Sequence, residues 1–220
     1  MRFAKCCLLG LLLATSLTAV ATRSAVQTIQ QTVDSLLQVI RDGKGYFDSD
    51  PDRFYVAVEQ VLDPVIDFDT FSRGVMAVYY RRATPTQREH FEDNFRSALI
   101  HTYGKALLSY GDEKVEVLPD DRPQTQPDRD SVKTEITSKE GKIYPVIYSM
   151  RLGKDGVWRV YNLIINGINI GLTYRNQFAS AMKSSEHRGD LDAVIANWGD
   201  TVANVDPSAD AGKSDATGSE

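Results

Sequence analysis

Cysteine is almost missing from this 220-residue chain, and its two copies, Cys6 and Cys7, are adjacent near the N-terminus. Adjacent thiols build neither a disulfide framework nor a cysteine-based zinc site. Histidine is scarce too: His90, His101 and His187. His90 and His101 fall on one predicted helix, about 16 Å apart at roughly 1.5 Å rise per residue, too far to share a metal ion. Positive charge is in deficit, with 25 basic against 30 acidic residues and a net charge of −5. That argues against a nucleic-acid binder, which needs a basic surface to displace phosphate counterions. No HExxH, P-loop, GxSxG or GxGxxG pattern occurs, so the usual signatures of metal, nucleotide and nucleophile chemistry are missing. Long apolar runs are missing as well. Leu8 to Val20 falls short of the roughly 20 residues that a membrane-spanning helix requires.

That short run has a different character. Arg2 and Lys5 precede it, and Ala19-Val20-Ala21 ends it with small residues. The arrangement predicts a secretory signal peptide over residues 1–21, cut after Ala21, with a retained membrane anchor as the alternative. Removing it takes away two basic residues and both cysteines, leaving a net charge of −7. Such a mature protein cannot misoxidise and must be stable from its core alone.

The remainder changes period midway. Val26, Ile29, Val33, Leu36, Leu37 and Ile40 predict an amphipathic helix ending near Gly43. Asp50-Pro51 reads as an N-cap followed by proline at the first helical position. The helix it opens carries Phe54, Tyr55, Val58, Val61 and Leu62 and stops at Pro64. Asp67 is expected to cap a third helix running through Tyr80, and capping also accounts for the cluster Asp63, Asp67, Asp69. Thr84-Pro85-Thr86-Gln87 fits a capping box opening a long helix to about Tyr110. Strands follow at Val115–Leu118, Val132–Thr137, Ile143–Leu152 and Trp158–Ile165. A helix is expected after Gly167 and a last one over Leu191 to Trp198. Residues 206–220 are small and polar without periodicity, a composition expected to be disordered. Helices, an antiparallel meander, then helices again predict an α+β domain over residues 22–205.

Tyrosine and large apolar residues are abundant in the second half. Tyr144, Tyr148, Tyr161 and Tyr174 lie on or just after strands. A filled core and a hollow that holds lipid use the same residue types, so composition leaves both open. His101 could serve as a general base in a cavity, or simply sit on a helix.

Two stretches narrow the choice. The first runs Gly74-Val75-Met76-Ala77-Val78-Tyr79-Tyr80-Arg81-Arg82-Ala83-Thr84-Pro85-Thr86-Gln87-Arg88, then Phe91, Phe95, Leu99 and Thr102-Tyr103. The second runs Trp158-Arg159-Val160-Tyr161-Asn162-Leu163-Ile164-Ile165-Asn166-Gly167-Ile168-Asn169-Ile170, then Tyr174-Arg175-Asn176-Gln177-Phe178. Together they resemble the MlaC family, also called Ttg2D or toluene-tolerance auxiliary components. The likeness spans nearly all of the chain between the predicted signal peptide and the tail. Asn162 replaces the family's usual Asp, Asn169 its usual Ser, and Ala77 a common Gly.

The resemblance implies an NTF2-like α+β fold, with helices on a curved antiparallel sheet enclosing an apolar cavity. It implies a soluble, monomeric periplasmic carrier of glycerophospholipids that helps maintain outer-membrane lipid asymmetry. Its partners would be an inner-membrane ABC transporter complex with an MCE-domain subunit and an outer-membrane lipoprotein–porin complex. It implies no catalysis and no cofactor or metal. On that expectation the cavity candidates are Met76, Phe95, Leu99, Tyr103, Val146, Tyr148, Tyr161, Leu163, Leu172 and Phe178. Helix faces and strand alternation would bury these residues in a filled core as well. Tyr174 and Arg175 are placed at the rim, where a guanidinium can grip a phosphate, with a salt bridge to a carboxylate as the alternative. An NTF2-like enzyme acting on a hydrophobic molecule, and a periplasmic chaperone with an exposed apolar patch, are the competing readings.

Overall fold

The computed structural model describes residues 23–109, 113–119, 126–186 and 189–203. The predicted signal peptide and the polar tail lie outside these residues. Helix α1 (Ala25–Gly43) opens on a capping box made by Ser24 and Gln27. Asp50 caps α2 (Pro51–Leu62), with Pro51 at its first position as expected. Asp67 caps α3 (Phe68–Met76) by accepting the Thr70 amide, and its other oxygen pairs with Arg151 on the sheet. The helix expected to reach Tyr80 instead breaks at Ala77, whose φ of 49° and ψ of −117° lie outside helical space. A 3-10 turn (Ala77–Arg81) carries the chain onward.

The second capping box forms as expected: the Gln87 amide donates to Thr84 Oγ1, and the Gln87 side chain accepts from the Thr84 amide. Helix α4 (Pro85–Leu107) follows. Strands β1 (Lys114–Val117), β2 (Arg129–Thr137), β3 (Ile143–Leu152) and β4 (Trp158–Ile165) pair antiparallel in chain order. A two-residue β5 (Ile168–Asn169), not anticipated from the sequence, turns back on Ile164 and Ile165. Helix α5 (Ile170–Lys183) comes next. The single last helix expected from the pattern is two, α6 (Leu191–Ala196) and α7 (Trp198–Ala203).

The register places Val132, Tyr148 and Leu163 in one cross-strand row, with Val117, Thr134, Val146 and Ile165 in the next. Between Ser149 and Met150 the register shifts, leaving Tyr161 as the extra, unpaired residue of a bulge. Two apolar cores result. In the first, Ala25 and Ile29 of α1 cover Val132, Met150, Trp158 and Val160 of the sheet. The second is helical and aromatic: Phe91, Phe95, Tyr174, Phe178 and Trp198 are all at 0% exposure. Their rings meet edge-to-face, tilted or stacked at 5.0–6.4 Å, within the centroid range favoured by aromatic quadrupoles. Side-chain bonds from Gln87 to Asp192 and from Asn94 to the Ile195 carbonyl tie α4 to α6. Helices α1, α3 and α5 lie against the sheet, whereas α4 packs chiefly on α2, α3, α6 and α7.

Candidate functional site

The two cores meet along a seam of half-buried apolar side chains. Leu163 packs against both. Tyr148 and Val117 fringe the sheet core, and Leu99, Tyr103 and Ile168 fringe the helical core. Leu99 and Tyr103 stand four residues apart on α4 and so share one face of it. A side chain lining a hollow keeps surface that a water-sized probe can touch. Leu99, Tyr103, Tyr148 and Leu163 do so.

Other residues expected to line a cavity lie elsewhere. Met76, Phe95 and Phe178 have no accessible surface. They fill the helical core, because the aromatic stripe of α4 interlocks with α5 and α7 instead of standing off from them. Val146, at 5% exposure, is likewise packed within the sheet. Leu172 is 47% exposed on the first turn of α5. Tyr161, displaced by the bulge, lies under the Arg129 guanidinium, 5.3 Å from the ring centroid.

The two residues expected at the rim differ in exposure. Tyr174 is fully buried. The Arg175 side chain is exposed, and its Nε donates to the Gly74 carbonyl at 3.0 Å, tying α5 to α3. His101 sits on the exposed side of α4, its ring tilted against Tyr55 with centroids 4.3 Å apart and its Nδ1 on the Ser97 carbonyl. It is not inside the fold, where a general base for a hydrophobic substrate would have to act.

Hydroxyls punctuate the seam. The Tyr103 and Tyr174 oxygens are 2.6 Å apart, and Tyr148 reaches Thr134 Oγ1 at 3.4 Å. Burial first, then the neighbouring Tyr103 hydroxyl, pushes the Tyr174 phenol well above its ordinary pKa. Burial also raises Tyr148, partly offset by Thr134. Each phenol therefore stays neutral and able to donate. Thr134 was not among the candidates, although its place between Val132 and Ile136 in an alternating strand puts it on the same face. Among the described residues no cluster of His, Cys, Asp or Glu could hold a metal ion, and no helix is long and apolar enough to cross a membrane.

The start of α5 shows how the sequence positions one wall of the seam. Asn169 caps the helix by accepting the Leu172 amide at 3.0 Å. Asn162, on β4, accepts the Gly171 amide at 3.0 Å. Both asparagines thus satisfy amide donors at the helix start and hold α5 against β4. A separate surface groove of about 610 Å³ lies between α1, the end of α2 and the β3–β4 turn. Its lining mixes Val61, Pro64 and Val157 with Arg23, Gln31 and Gln60, and acyl chains there would strip water from the charged and amide groups.

Comparisons with known proteins agree with this architecture. The model of the MlaC protein family matches residues 30–200. The toluene tolerance protein ttg2D of Pseudomonas putida is 39% identical over 204 residues, covering 92% of this chain and 93% of that protein. The intermembrane phospholipid transport system binding protein MlaC of Haemophilus influenzae is 24% identical over 156 residues, covering 70% of this chain and 72% of its own. Among solved structures, the phospholipid-binding protein of Ralstonia solanacearum, in complex with a phospholipid, superposes with a TM-score of 0.71 at 25% identity. That likeness covers 82% of this chain and 98% of the other. With a family model matching most of its length and a relative this similar, the chain belongs to the MlaC family.

Proposed function

We propose that this protein carries phospholipid, holding acyl chains between its two apolar cores. The observation that carries the reading is the phospholipid-bound relative, whose fold this chain reproduces over 98% of that relative's length. A phospholipid carries about thirty methylenes, each worth ~0.8 kcal/mol, so exposing its tails costs on the order of 24 kcal/mol. A carrier has to offset nearly all of that, and must not bind much more tightly than a bilayer, or release fails. A dry apolar wall meets both requirements. Its half-buried side chains already adjoin packed cores, so filling the seam adds contacts without dismantling either one.

In the fuller form of the proposal, the protein works in the periplasm. It shuttles lipid between an outer-membrane lipoprotein–porin complex and an inner-membrane ABC transporter complex with an MCE-domain subunit, maintaining outer-membrane lipid asymmetry. The chain itself supplies no catalysis. His101 is exposed, with Nδ1 on the Ser97 carbonyl, and stands outside the seam between the cores, which supports a carrier over an enzyme. Organic extraction of the purified protein followed by mass spectrometry tests the reading. Diacyl phospholipid at close to one molecule per chain is expected. Lipid-free protein from bacterial cells, or turnover of a hydrophobic substrate by delipidated protein, would overturn it.

A further inference from the structure

Resting on that reading, the structure points to a residue that selects among lipid cargoes. We propose that the Tyr103–Tyr174 hydroxyl pair hydrogen-bonds an acyl ester carbonyl of the bound phospholipid, with Tyr103 as the donor. The pair therefore distinguishes ester-linked from ether-linked tails.

The argument is a proton count. Two phenols bring two O–H groups, and their oxygens stand 2.6 Å apart, so one proton is spent between them. Tyr174 has no accessible surface, and the rings around it, Phe95 at 5.5 Å and Trp198 at 6.3 Å, offer no oxygen acceptor. Its proton therefore goes to the Tyr103 oxygen. The Tyr103 proton is then left over, and among the described residues no group accepts it. Tyr103 is half-buried and shares the seam face of α4 with Leu99, so this donor is available to whatever occupies the seam.

In the empty protein, water can take that proton. Acyl chains entering the seam displace water, and an O–H facing only methylenes would be left unpaired, an arrangement that buried polar groups avoid. The cargo must therefore bring an acceptor. A phosphate fits poorly, because among the described residues no cation hydrogen-bonds either phenol and a desolvated anion needs one. An ester carbonyl is neutral, accepts strongly and is attached directly to the acyl chain. A dialkyl ether lipid has almost the same shape and lacks it. A donor left unpaired by the wrong cargo discriminates more sharply than a changed apolar contact does.

The test offers the delipidated full-length protein an equimolar mixture of a diacyl phosphatidylglycerol and its dialkyl ether analogue of equal chain length. Native mass spectrometry reads the ratio bound. One neutral hydrogen bond corresponds to an enrichment of the ester lipid by roughly three- to tenfold. Tyr103→Phe should take up the two lipids at a ratio near unity. Tyr174→Phe, which leaves the donor in place but unanchored, should give an intermediate ratio. Isotope-edited infrared spectra of ester lipid labelled at its carbonyls supply a second readout. A lowered carbonyl frequency is expected in the wild-type complex and should be lost in Tyr103→Phe. Lipid bound at a ratio of one by the wild type, or an unchanged ratio in Tyr103→Phe, overturns this inference and leaves the carrier intact. Failure of the wild type to take up either lipid overturns the carrier reading instead.

Discussion

Ala77 is the most strained residue in the described backbone. Its φ of 49° with ψ of −117° is a conformation that glycine adopts freely and that costs a residue with a Cβ of order 1–3 kcal/mol. Replacing it with glycine removes that strain and gives back part of the gain as unfolded-state entropy. Ala77→Gly should therefore stabilise the protein by about 1 kcal/mol, read as a higher urea midpoint at unchanged slope. Asp155 offers a second test at this scale. Its bond from Arg159, then the Val157 amide, holds its carboxyl down to about 2, against an ordinary value of 3.8. A carboxylate depressed on folding stabilises above its unfolded pKa and stops doing so as pH falls through the folded one. Its contribution is thus complete above about pH 4 and lost toward pH 2. The exposed site keeps the effect small. Asp155→Asn should narrow the stability difference between pH 4 and pH 2, as seen in denaturation curves at the two values.

At the scale of elements, the decisive contact is the approach of α5 to β4. A Cβ on Gly171 would lie 2.5 Å from Asn162 Oδ1, the atom that accepts the Gly171 amide. Gly171→Ala must displace either the helix or its acceptor, and a loss of about 1–3 kcal/mol is expected, measured by thermal or urea unfolding. Most of this level was legible in the sequence. The Thr84–Gln87 capping box, the Asp-Pro start of α2 and the four main strands announce themselves through local chemistry, because caps and alternation act within a few residues. The failures are non-local. Nothing in the pattern from Phe68 to Tyr80 marks the break at Ala77, since the residues beyond it stay apolar and aromatic. The bulge that carries Tyr161 away from the seam depends on pairing with β3, and strand alternation alone does not reveal it. The burial of Tyr174 comes from α4 and α7 closing over α5. For the same reason the candidate site was only partly readable. Periodicity says which side chains turn inward, but not which find a partner there and which face a gap.

For the whole molecule, the relevant fact is that the interior is divided. The aromatic helical core is filled solid, the sheet core is filled under α1, and half-buried residues lie between them. Bulk added at the seam should compete with cargo more than it disturbs folding. Leu99→Trp and Leu163→Trp are expected to lower the lipid recovered per chain several-fold while unfolding stays cooperative. The same change at Phe95 or Phe178, within the filled core, should reduce stability first. Extraction with mass spectrometry and calorimetry on the four variants separates the two effects, and equal behaviour at all four positions would place the lipid elsewhere.

The divided interior has an optical corollary. The chain holds two tryptophans, and each belongs to a different half: Trp158 sits beneath α1 on the sheet, and Trp198 among the rings of α4 and α5. The emission of the unmodified protein is therefore the sum of two separate reporters. A guest that wedges the halves apart will alter them unequally, so loading and discharge can be followed in real time without attaching a dye.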